Sequence, residues 1–193
     1  MPDRFDLLRL DEFDSRLMFD IRYATADNFL QRVLYPCAIA VARRGTADKL
    51  KVAADYVEQF GCRFKIWDAY RPVPVHNLFW AVLPDSDYIA NPATGGSKHS
   101  RGCAIDLTLV DFAGNELEMP TWFDDTTFRA GREYAETLPL HIRENLALLT
   151  MAMENAGFES IDSEWWHYCD TEWRDYPALD VDLFIFGGSN DNH

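Results

Sequence analysis

The stretch Ser97-Lys98-His99-Ser100-Arg101-Gly102-Cys103-Ala104-Ile105-Asp106 constrains this chain more than any other. It sets an imidazole seven positions before a carboxylate, with a glycine between them and an alternating apolar run after. From Cys103 to Leu109 the alternation puts Ala104, Asp106 and Thr108 on one face of a strand, and Ile105, Leu107 and Leu109 on the other. Asp106 therefore faces away from the apolar set. If the chain turns at Gly102, His99 folds back over it and the two make half of a metal site.

A second stretch, Glu164-Trp165-Trp166-His167, could supply the missing ligand and a general base. Two imidazoles and one carboxylate suit zinc, because imidazole favours borderline metals whereas calcium and magnesium want more oxygens. Three protein ligands leave a fourth position open, as catalytic zinc requires. Glu164 precedes His167 by three residues, so in a continuous strand they would face opposite ways and a bend is needed. Each residue alone has a plainer reading: His99 as a surface loop residue, Asp106 as a hydrogen-bonding acid, His167 as a half-buried strand histidine, Glu164 as a solvated acid. The joint reading is stronger, since the chain has five histidines and two of them fall in these two segments.

Residues 63–70 alternate as a half-buried strand that Arg71-Pro72 ends, because proline cannot donate to the ladder. Arg71 then either pairs with one of the many acids or polarises a scissile carbonyl. Asp124 and Asp125 read as a solvated turn, or as acids beside a pocket that binds a substrate ammonium. Trp165 and Trp166 read as packing residues.

Around these segments, residues 17–23 resemble a strand entering a loop. Thr46 is the expected N-cap of a helix that runs to about Phe60 and stops at Gly61. Further helices are expected over 75–83 and 138–156, the latter with Gly157 as its C′ residue, and residues 85–97 form a loop. Strands and helices do not alternate regularly, so the expected class is α+β, with a central, mostly antiparallel sheet flanked by helices. One domain over residues 1–193 is expected, with 183–193 a loose tail. The formal net charge of −14, with no offsetting cluster of Lys and Arg, argues against nucleic acid or an anionic membrane as partner. No apolar run is long enough to span a bilayer and the first residues lack a secretory layout, so a cytoplasmic location is expected, with Cys37, Cys62, Cys103 and Cys169 as buried free thiols.

Read together, the segments 23–29, Trp67-Asp68-Ala69-Tyr70-Arg71-Pro72, 97–109, Phe123-Asp124 and 153–158 leading to Glu164-Trp165-Trp166-His167-Tyr168 resemble the D-alanyl-D-alanine dipeptidases, the vancomycin-resistance-type zinc dipeptidases of peptidase family M15. The resemblance implies a Hedgehog/DD-peptidase-like α+β fold and one zinc per chain, held by His99, Asp106 and His167. It implies Glu164 as general base, Arg71 assisting the transition state, and Asp124, Tyr23 and Ser97 binding a small dipeptide. The implied activity is hydrolysis of D-alanyl-D-alanine to two D-alanines by metal-activated water, in the setting of peptidoglycan turnover. The sequence departs from the family pattern at Pro120, where a glycine is usual, and in the short loop over 84–97. Two rivals stay open: a peptidoglycan stem-peptide D,D- or L,D-carboxypeptidase or endopeptidase of the same superfamily, and a non-catalytic metal-binding module.

Overall fold

Alternating apolar residues make strands of Cys62–Asp68 and Ala104–Asp111, and these two pair antiparallel at the centre of the molecule. The computed structural model describes residues 3–86 and 88–187. Its elements run β1 (Leu7–Arg9), α1 (Leu10–Phe13), β2 (Met18–Phe19), β3 (Val41–Arg43), α2 (Arg44–Glu58), β4 (Cys62–Asp68), α3 (Val73–Val82), β5 (Ala104–Asp111), α4 (Arg132–Ala135), α5 (Leu140–Asn155), β6 (Phe158–Ser160), β7 (His167–Asp170) and α6 (Phe184–Gly187). The main sheet has the order β2-β4-β5-β7-β6, and within it only β2 and β4 run parallel. A separate antiparallel ribbon joins β1 to β3. This is the mixed α+β architecture that the residue pattern implied.

Helices α2 and α5 pack on each other, α2 against β4 and α5 against β5 and β6. The helical spacing of Leu50, Ala53, Ala54 and Val57 on α2, and of Leu146, Leu149, Ala152 and Met153 on α5, buries one stripe of each helix. Phe64, Ile66, Ile105, Leu107 and Leu109 of the two central strands are wholly buried. Each such Leu, Ile or Phe contributes about 1.5–3 kcal/mol on leaving water. Gly157 ends α5 with a left-handed φ of 95°, as expected of a C′ glycine.

Three expectations are corrected. Thr46 does not cap α2, which begins at Arg44; it lies in the first turn, wholly buried, and its hydroxyl donates to Asp170 Oδ2 at 3.0 Å. Asp170 ends β7 with no exposure and also pairs with Lys49, so the first turn of α2 is used to satisfy a buried carboxylate. All four cysteines are free, but Cys37 is only half-buried. The loose tail does not begin at 183, because Leu183 is fully buried and Phe184–Gly187 is helical; residues 188–193 lie outside the described residues.

Candidate active site

The sheet register builds the site. Asp106 of β5 stands directly opposite His167 of β7, which brings two residues 61 positions apart within side-chain reach, and His167 Nδ1 lies 2.9 Å from Asp106 Oδ1. On the other side of β5 the ladder shifts register between Ile66 and Asp68, so Asp68 too pairs with Asp106. A bulge of this kind re-aims a side chain. Regular alternation would leave Asp68 on the apolar face with Phe64 and Ile66; the shift brings it to the row of Asp106 and His167.

His99 reaches this row from the loop before β5. Residues His99–Arg101 form one 3₁₀ turn, and Gly102 closes it with φ 73° and ψ 24°, a left-handed conformation that glycine adopts without a Cβ penalty. A Cβ at Gly102 would lie 3.1 Å from Leu7 Cδ2 and 3.3 Å from Arg43 Cγ. The turn sets His99 Nδ1 to donate to the Ala69 carbonyl at 2.7 Å, which leaves Nε2 facing Asp106 Oδ1 at 3.3 Å and His167 Nδ1 at 3.1 Å. Fixing one ring nitrogen on a backbone carbonyl orients the other as a ligand.

Arg71, three residues beyond the end of β4, points back over the sheet end. Its guanidinium donates from Nε and Nη2 to Asp68 Oδ2 and lies 3.7 Å from Asp106. Arg71 thus has the ion-pair partner of its plainer reading, and it also lines the cavity. Glu164 sits in the turn before β7, which supplies the bend its spacing from His167 required, with Oε2 3.9 Å from His167 Nδ1. Trp165 and Trp166 are buried packing residues, their rings 5.5 Å apart.

His99, Asp106, His167, Arg71, Glu164 and Trp166 line a cavity of about 340 Å³ that also takes in Tyr23, Ser97, Phe79 and Asp124. The Tyr23 hydroxyl donates to Asp124 at 2.9 Å, and Ser97 Oγ accepts from the His99 backbone N–H at 3.1 Å. The structure thus gathers His99, Asp106, His167, Glu164, Arg71, Asp124, Tyr23 and Ser97 into one pocket. Two residues behind Arg71 were missed: Asp68, quoted within a motif but given no role, and Tyr35, whose hydroxyl donates to Asp68 at 2.7 Å from a loop that carries no periodic signal.

A family model described as D-ala-D-ala dipeptidase, peptidase M15, matches residues 3–179. The chain belongs to that family. It is 35% identical to a D-alanyl-D-alanine dipeptidase of Escherichia coli K12, over 93% of this chain and 92% of that protein. It is 32% identical to another of Enterococcus faecium, over 82% of this chain and 88% of that protein. Membership of this peptidase family makes the chain an enzyme and sets aside the non-catalytic module.

The donor set of this dipeptidase-family site fits a metal ion. The ligand atoms of His99, Asp106 and His167 are buried and lie within 4.8 Å of one another. The surrounding charge asks for cations. Burial pushes the Glu164 carboxyl up to about 7, and Asp106 and Asp124 add to the rise. Burial likewise pushes Asp124 up to about 7, with Asp106 adding to it. Asp106 is opposed by burial, yet His99 and the hydrogen bond from His167 hold it well below the usual carboxylate range. A pocket in which two carboxyls are driven toward neutrality gains from a metal ion and from an ammonium group. Among the described residues no helix is long and apolar enough to cross a membrane.

Proposed function

We propose that the chain hydrolyses free D-alanyl-D-alanine to two D-alanines, with one zinc held by His99, Asp106 and His167 and with Glu164 as general base. The buried triad with Glu164 beside it carries this reading, because a three-ligand site with an adjacent carboxyl suits metal-assisted hydrolysis. The names of the relatives supply the substrate class.

When bound, zinc supplies a Lewis acid that polarises a carbonyl and acidifies water. The protein groups do the rest. Glu164, whose carboxyl burial has already raised to about 7, accepts a proton from the attacking water and delivers it to the departing amine nitrogen. The water oxygen joins the carbonyl carbon as the amide C–N bond breaks. Arg71 offers N–H donors to the carbonyl oxygen as negative charge grows on it. Asp124, with Tyr23 on its carboxylate, pairs with the substrate ammonium, and Ser97 meets the dipeptide beside His99. Burial of Asp124 disfavours its charge, and a bound ammonium repays that cost directly. The enzyme would act in the cytoplasm, on dipeptide from peptidoglycan turnover.

Hydrolysis of free D,D-, L,D- and L,L-dipeptides, with metal content measured on the same sample, tests the proposal. The expected result is turnover of D-alanyl-D-alanine by a one-zinc protein, and a Glu164→Ala chain that keeps its metal but loses most of its kcat. Preference for N-acetylated D-alanyl-D-alanine would shift the assignment to a stem-peptide peptidase, since a blocked amine gives Asp124 no partner.

A further inference from the structure

The Arg71 guanidinium is clamped by two of its nitrogens, Nε and Nη2, with Nη2 also 3.7 Å from Asp106 Oδ2. Nε and Nη2 donate to one oxygen of Asp68 at 2.9 and 2.7 Å, and the other oxygen accepts the Tyr35 hydroxyl at 2.7 Å. The rings of Phe79 and Tyr23 lie 4.6 and 5.1 Å from the guanidinium carbon. Asp68, Tyr35, Phe79 and Tyr23 are all buried. Among the described residues no acceptor meets Nη1, while Arg71 lines the cavity.

An acid this close to a metal-site histidine could instead serve that histidine. The geometry speaks against it. Asp68 Oδ2 is 3.6 Å from His99 Nδ1, too long for a hydrogen bond, and that N–H already donates to the Ala69 carbonyl at 2.7 Å. The polar bonds of Asp68 go to Arg71 and Tyr35.

We propose that Asp68, braced by Tyr35, is a positioning residue that holds Arg71 so that Nη1 is presented to the scissile carbonyl. The inference rests on the reading of Arg71 given under the proposed function and names what makes it work. An arginine side chain loses much rotamer freedom when ordered, so a free guanidinium would have to be oriented anew in each turnover. A donor fixed beforehand needs no such reorganisation when charge develops on the carbonyl oxygen. The Phe79 and Tyr23 rings, 4.8 Å apart and on one side of the guanidinium, bound its position, and the paired bonds to Asp68 fix its orientation.

The test uses the full chain loaded with zinc. Asp68→Asn is expected to lower kcat by about 10–100-fold, the range typical of supporting groups behind a site, with KM and metal content little changed. Asp68→Glu, which keeps the charge, recovers part of the loss, and Tyr35→Phe gives a smaller fall in kcat. Guanidinium chloride added to Arg71→Ala restores turnover where Asp68 is present to hold it, and not in Arg71→Ala/Asp68→Asn. Loss of zinc in Asp68→Asn, a rise in KM alone, or equal guanidinium rescue in both backgrounds overturns the inference. Wild-type turnover in Arg71→Ala overturns the role of Arg71 and the inference with it. A kcat loss in Arg71→Ala without one in Asp68→Asn overturns the inference alone.

Discussion

The Tyr23 hydroxyl donates to the Asp124 carboxylate at 2.9 Å, tying a turn near the start of the chain to a loop 101 positions later. Asp124 holds φ at 62°, a left-handed conformation in which asparagine and aspartate are enriched among non-glycine residues. Asp124→Asn therefore keeps the backbone and removes the charge. A hydrogen bond to a charged group contributes about 1.5–3 kcal/mol, so kcat/KM for the free dipeptide should fall roughly ten- to hundredfold. Steady-state kinetics on free and N-acetylated substrate checks this: the loss should be confined to the free form. Equal losses on both would remove Asp124 from ammonium binding.

The two raised carboxyls make the metal-free protein sensitive to pH. Asp124 and Glu164 titrate near 7 when folded, against ordinary values of 3.8 and 4.5. Between about pH 4 and 7 the folded chain holds protons that the unfolded chain has released. The stability these groups contribute is thus fully present below pH 4 and is lost as pH rises through 7. Urea midpoints of chelated protein should drop from pH 5 to pH 8, and Asp124→Asn should lessen the drop. An unchanged difference in that variant would show that Asp124 does not titrate in this window.

Gly102 should tolerate no side chain. Alanine there meets both the left-handed backbone and the contacts with Leu7 and Arg43. Strain of this kind costs on the order of 1–3 kcal/mol. Because the turn carries His99 to Asp106, Gly102→Ala should weaken zinc binding as well as stability, read by competition with a chelator and by urea unfolding. A chain that is destabilised but binds zinc normally would separate the turn from the metal site.

The buried Asp170 predicts a cost far from the cavity. Thr46→Val removes one of its donors and should destabilise by about 1–3 kcal/mol, the penalty for weakening the satisfaction of a buried polar group. Thr46→Ser keeps the hydroxyl and should stay near wild type. A loss in Thr46→Ser as large as expected for Thr46→Val, with Thr46→Val itself near wild type in urea unfolding, would trace the effect to the methyl group instead.

Much of the site is legible in the chain because its residues sit in short segments with their own signals. His99 and Asp106 flank a glycine ahead of a clear alternation, and Glu164 stands three residues before His167. Strand alternation also settles that Asp106 lies off the apolar face, and helical spacing marks the stripes of α2 and α5 that become core. These are local properties, decided by pleat and helical period within a few residues. Where such rules failed, long-range demand had overridden them, as when Asp170 drew Thr46 into a helix turn rather than to its cap.

By itself, then, the sequence determined the residue types of the site, the strands and helices that carry them, and the α+β class. Tertiary structure alone decided their partners. That Asp106 faces His167 across 61 positions depends on strand register, which neither strand encodes separately. That Asp68 leaves the apolar face to hold Arg71 depends on a bulge against β5, and that Tyr35 braces it depends on a loop with no pattern to read. Alternation is a property of one strand, whereas register and bulges arise only when two strands must satisfy each other's hydrogen bonds.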